Sequence, residues 1–96
     1  MMTTSEQTWH LFAHGRVQGV GYRAACAERA VALGVGGWVR NRVDGTVEVM
    51  ASGTKAQLEA LRQWMESGPP AARVSHVDMT VAAPESFDRF DCRPTA

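Results

Sequence analysis

Lysine is nearly missing from this 96-residue chain: nine of its ten basic residues are Arg, and Lys55 is the exception. Neither sign of charge is in excess, because ten Lys+Arg balance ten Asp+Glu. A net charge of zero removes the electrostatic case for nucleic acid or anionic lipid as a partner. No apolar run approaches the ~18 residues of a membrane span, so no membrane partner is expected. The opening MMTTSEQT has neither a basic n-region nor an apolar stretch, and a cytoplasmic location is the expectation. Cysteine is scarce too. Cys26 and Cys92 show no CxxC pattern and no His at zinc-ligand spacing. A disulfide between them stays open, but two small buried hydrophobes suit a cytosolic chain better.

What is present is ordinary for a folded chain: 45% hydrophobic and 21% charged residues exclude disorder over most of the length. A chain this short buries only about 60–65% of its unfolded surface, enough for one core. Residues 1–96 are therefore read as a single domain, with 1–7 as a loose N-terminal tail. The charge becomes informative once it is located. Between residues 14 and 42, Arg16, Arg23, Arg29, Arg40 and Arg42 face Glu28 alone, a local balance of +4 beside a glycine-rich stretch. That combination suggests a small anionic ligand.

Alternating parity over residues 9–14 predicts a strand, and three glycines within 15–21 predict a loop. The Ala-rich run from Tyr22 to Leu33, closed by Gly34, predicts a helix. Residues 37–43 and 46–52 alternate around Asp44-Gly45, a strong hairpin signal. Thr54 and Gln57 match a capping box, and Leu58, Leu61 and Met65 follow at helical spacing until Gly68-Pro69-Pro70. Strands are expected at 73–81 and, after Pro84, at 87–92. The order is βαββαβ plus a short strand. It predicts an α+β, ferredoxin-like sandwich, a mostly antiparallel sheet with both helices on one face.

Strand, glycine-rich loop and helix N-terminus together aim backbone N–H groups at an anion. Gly15, Gly19 and Gly21 would let the loop curl; an ordinary connection needing positive φ is the rival reading. No GKS or GKT follows, so this is not a P-loop. Gly19-Val-Gly21-Tyr-Arg-Ala24 matches GxGxxA, with Asp44 downstream, but Asp44 sits in a hairpin turn and 96 residues cannot build a dinucleotide sheet. Arg23 is misplaced by local rules: a cation in the first helical turn opposes the dipole by ~0.3–1 kcal/mol unless an anion intervenes. Its guanidinium fork suits phosphate. Asn41 shares parity with Val39 and Val43, which puts an amide on the apolar face, either satisfied there or holding water or a substrate oxygen. His10 and His14 would stand ~13 Å apart on a strand, and His76 looks alone on its own. No Ser/His/Asp set and no third metal ligand is seen, so no metal is expected.

The segments Gly15-Arg-Val-Gln-Gly-Val-Gly-Tyr-Arg23 and Gly37-Trp-Val-Arg-Asn41-Arg-Val-Asp-Gly45-Thr-Val47, closed by Gly53, resemble the two signatures of the acylphosphatase family. The resemblance runs on through SGPPAARV to the last strand. It implies a ferredoxin-like hydrolase, small and monomeric, that cleaves acyl phosphates to a carboxylate and inorganic phosphate with no cofactor. Arg23 falls on the family's phosphate-binding arginine and Asn41 on its water-positioning asparagine. The resemblance also assigns phosphate contacts to the preceding loop: Gly15, Arg16, Val17 and Gln18, then Gly19, Val20, Gly21 and Tyr22. Tyr22 departs from the usual Phe or Met, keeping an aromatic wedge but adding a hydroxyl. Two rivals stand beside this reading. An RNA-binding module would need stacking aromatics, and strand 46–52 has none. An anion sensor would leave Asn41 without a task.

Overall fold

A computed structural model describes residues 6–96. The elements run β1 (Glu6–Arg16), α1 (Tyr22–Leu33), β2 (Gly36–Asn41), β3 (Val47–Thr54), α2 (Lys55–Ser67), β4 (Arg73–Ala82) and β5 (Phe90–Arg93). The sheet order is β4-β1-β3-β2-β5, antiparallel throughout except for the parallel pair β2–β5. Alternate residues of the central strands (Trp9, Leu11 and Ala13; Val47, Val49 and Ala51) are buried with Cys26, Ala30, Leu58, Leu61 and Met65 of the two helices. Both helices thus cover one face, as expected of the ferredoxin-like arrangement. Neither helix is long and apolar enough to cross a membrane.

Each helix ends where its local chemistry says it should. Gly34 adopts φ 78°, and the Gly34 and Val35 amides return to Val31 and Ala30 carbonyls. At the start of α2, Thr54 Oγ1 accepts from the Gln57 amide at 3.2 Å, while Gln57 Oε1 accepts from the Thr54 amide at 2.9 Å. That reciprocal pair is the capping box.

Several boundaries move. Glu6 and Gln7, expected in a loose tail, pair with Thr54 and Gly53, so β1 begins three residues early; residues 1–5 lie outside the described residues. β2 stops at Asn41 rather than 43, because Arg42 to Thr46 close a turn. The Arg42 amide donates to Thr46 O, Gly45 N to Arg42 O, and Asp44 Oδ1 accepts from Thr46 N. Val43, expected on the apolar face, is 88% exposed at that turn. The last strand shifts to 90–93, placed by pairing with β2 that no local signal encodes.

Candidate active site

The chain between β1 and α1 is pinned by side chains and shaped by glycines. Val17 and Tyr22 are buried at its two ends. Tyr22 Oη donates to Met65 O at 2.7 Å, and burial pushes its phenol well above the ordinary range. The hydroxyl that departs from the family pattern therefore points into the core. Gln18 Nε2 donates to Arg42 O at 2.7 Å and to Thr46 O at 2.8 Å, lashing the loop to the β2–β3 turn. Gly19 and Gly21 adopt φ 74° and 78° with open space where a Cβ would project, so backbone conformation demands glycine there.

Gly21 is the N-cap of α1 and makes no side-chain cap, and the first turn holds no acid. The first intrahelical bond, Ala25 N to Gly21 O at 3.1 Å, leaves the N–H groups before Ala25 without helical partners. Beside them lies a cleft of about 630 Å³ lined by Val17, Gln18, Gly19, Gly21, Tyr22, Arg23, Ala24, Asn41, Cys92, Arg93 and Pro94. Unsatisfied donors and the positive end of the dipole are the features that suit a cleft to an anion.

Arg23 is half-buried at the cleft and donates from Nη1 to Arg93 O at 3.0 Å. Among the described residues no carboxylate pairs with it. Arg93 is steadied in turn, its guanidinium 4.9 Å above the Trp38 ring, with Arg40 at 4.7 Å. Asn41 is half-buried at the end of β2, on the face of buried Val39. Its backbone carbonyl accepts from the Ala96 amide at 3.0 Å, and its side-chain amide has no partner among the described residues. One cationic fork and one free amide thus share a cleft walled by backbone donors.

Not every residue read from the sequence reaches that cleft. Gly15 and Arg16 belong to the end of β1, paired with Val74 and Arg73, and Arg16 is exposed. Val20 packs against the core. The cleft gains Ala24, Cys92, Arg93 and Pro94 in their place. No local signal marked Arg93, because its contact with Arg23 spans 70 residues. Both cysteines are free: Cys26 is buried as expected, whereas Cys92 is exposed, its Sγ 3.7 Å from Arg23 O. Burial pushes the Cys26 thiol up to about 12, with nearby Cys92 adding to the shift.

The opposite sheet face holds the charges that the cleft does not use. Glu48, only 4% exposed, accepts from Arg40 Nε at 2.8 Å and Arg42 Nη1 at 2.9 Å, and pairs with His10 Nε2 at 2.6 Å. Burial alone would raise its carboxyl, but the hydrogen bonds outweigh it and hold the group down at about 2. His76 is not alone, as its strand position suggested. It stacks on His14 beside Asp78, three metal-capable groups where the sequence showed no third ligand.

Known proteins resemble this chain over nearly its whole length. A family model described as acylphosphatase matches residues 9–92. An acylphosphatase of Cupriavidus metallidurans is 73% identical over 95 residues, spanning 99% of this chain and 100% of that protein. Another from Cupriavidus pinatubonensis is 68% identical over 93% of this chain and 98% of its own. Among solved structures, an acylphosphatase from Coxiella burnetii superposes with a TM-score of 0.89 at 35% identity, covering 92% of this chain and 93% of that one. One from Bacillus subtilis gives 0.87 at 32% identity, covering 90% and 97%.

Proposed function

The chain belongs to the acylphosphatase family and hydrolyses the carboxyl–phosphate bond of acyl phosphates, and from that premise we propose how its own residues do so. The loop amides from Val17 to Tyr22 and the Arg23 guanidinium grip the phosphoryl oxygens, and Asn41 orients the attacking water. One observation carries the reading. The Arg23 fork, without a carboxylate partner among the described residues, shares a cleft with a half-buried amide that also has no partner.

In the reaction a water oxygen bonds to phosphorus as the bond from phosphorus to the acyl oxygen breaks. The carboxylate departs with that electron pair, and the proton of the water passes to a phosphoryl oxygen. The leaving acid has a pKa of about 4, so it departs without protonation and no general acid is required. Phosphoryl transfer through a loose transition state is chiefly positioning and charge stabilisation. Arg23 and the loop amides supply a fixed positive field of the kind Mg²⁺ provides elsewhere, so the chemistry runs without a metal or other cofactor. A strong base adds little when the bond to water is barely formed.

The substrate is a small acyl phosphate, and Gly15 and Arg16 act from outside the cleft by ending β1 where the loop must start. A monomer suits this reading, since one chain supplies every lining residue, and the cytoplasmic location remains part of the proposal. Phosphate release from acetyl phosphate or benzoyl phosphate, measured in EDTA, tests the mechanism. Turnover unchanged by EDTA supports it. Turnover that disappears with chelation and returns with Mg²⁺ refutes it.

A further inference from the structure

The sheet face turned away from the helices carries a cluster with no part in phosphate binding. β1 and β4 pair so that His14 lies opposite His76, and Asp78, opposite Phe12, falls two residues along β4 on the same face. The two imidazoles stack with centroids 4.1 Å apart and planes 10° from parallel. Both turn Nε2 toward one carboxylate: His14 Nε2 is 2.9 Å from Asp78 Oδ2, and His76 Nε2 is 3.7 Å from Asp78 Oδ1. One ligand atom from each residue lies within 4.8 Å of the other two. A His–Asp ion pair needs one imidazole, not two. No Lys or Arg among the described residues pairs with Asp78, so its charge is answered by the histidines alone.

The backbone explains how this convergence arises. Register slips between His14 and Gly15: His14 faces His76 but Gly15 faces Val74, leaving Ser75 as the extra residue of a β-bulge. Bulges re-aim the side chains beside them. A Cβ at Gly15 would strike Arg73 O and Ser75 N, so that residue's glycine lets the bulge close against β1. Ser75 Oγ then lies 3.3 Å from His76 Nδ1. An imidazole that donates its Nδ1–H to such an oxygen leaves the Nε2 lone pair free to ligate a metal.

We propose that His14, His76 and Asp78 form a binding site for a borderline divalent transition-metal ion, with zinc the best match. Two imidazole nitrogens and one carboxylate suit zinc, whereas magnesium and calcium favour all-oxygen sets. Zinc donors about 2.0–2.1 Å from the ion stand roughly 3.4 Å apart in a tetrahedron, so tilting the two stacked rings toward the ion, with donor shifts of about an ångström, completes the site. Side-chain exposures of 32%, 56% and 61% for His14, His76 and Asp78 leave the approach open and the outward position to water. The ion would fasten the edge strand β4 to β1 just before the chain enters the phosphate loop. His14 and Asp78 are 64 residues apart, so the unfolded chain does not present the site and binding favours the native state.

The test uses untagged full-length protein, stripped with EDTA, dialysed, and titrated with zinc chloride by calorimetry and by thermal unfolding. Wild type should take up one zinc per chain with a rise in Tm. His76→Ala and Asp78→Asn should each weaken binding by roughly tenfold or more and abolish the rise. His10→Ala, which removes the imidazole held by Glu48 on the same face, should leave zinc affinity unchanged. Turnover of acetyl phosphate should persist in His76→Ala, so failure here is distinguishable from failure of the catalytic reading. No saturable binding in wild type, wild-type affinity in both ligand variants, or equal loss in His10→Ala overturns the site.

Discussion

Replacing Arg23 by Lys keeps the charge at the first turn of α1 and removes the fork, which isolates geometry from electrostatics. In the structure one N–H of Arg23 is spent on Arg93 O at 3.0 Å, leaving four for the phosphoryl group. Lys has three donors on one atom and cannot grip two oxygens from fixed directions. Removing one preorganised donor from a developing anion costs about 10²–10³ in kcat. The substitution should therefore lower kcat/KM for benzoyl phosphate by at least that range. The fold should survive, because Arg23 is half-exposed and gives up only one hydrogen bond. A binding measurement separates the effect from unfolding. Phosphate at ten times its Kd stabilises the native state by about 1.4 kcal/mol, or roughly 6–11 °C in Tm for a domain of this size. Wild type should show that rise and Arg23→Lys should not. A variant with near-normal kcat/KM and an intact phosphate shift would remove Arg23 from the mechanism.

Asn41→Ala should lower kcat by orders of magnitude while inhibition by phosphate stays nearly unchanged, because water is engaged in the reaction and phosphate is gripped in the ground state; retained turnover would reduce Asn41 to a structural amide. Tyr22→Phe should cost about 1–2 kcal/mol in denaturant unfolding through the lost bond to Met65 O, with kcat unaffected since the hydroxyl faces the core. Gln18→Ala unties the loop from Arg42 O and Thr46 O and should raise KM more than it lowers kcat, as steady-state kinetics would show. Glu48→Gln should cost on the order of 3 kcal/mol near neutral pH, as a drop in carboxyl pKa from 4.5 to about 2 implies. Because the folded-state value is the lower one, this stability is present above pH 4.5 and fades as pH falls toward 2. Acid unfolding of the variant should be correspondingly shallower across that window.

How much of this was legible depended on whether a feature broke a local rule or obeyed one. Arg23 and Asn41 were visible because each is misplaced: a cation at the positive end of a helix dipole, and an amide on the face of Val39. Helix α2 was visible because Thr54 and Gln57 cap it from three residues apart. Gln18 obeys every rule for a loop residue, so its double tether to the hairpin stayed hidden. Glu48 alternates as an outward strand residue should, and nothing local marks it as buried. It is buried because Arg40 and His10 from the neighbouring strands, and Arg42 from the β2–β3 turn, close over it. Arg93 became part of the site only when β5 paired with β2 and brought its carbonyl to Arg23. Gly15 and Arg16 were assigned to the loop because glycine breaks strand patterns, yet β1 runs through both to meet the bulged end of β4. The proposed anion-binding chemistry is therefore local, written in consecutive residues from the loop into the helix, whereas what orients Arg23 is long-range. A sequence can announce such a site while concealing its supports, since Arg93 and Gln18 are ordinary residues until the sheet brings them to their partners.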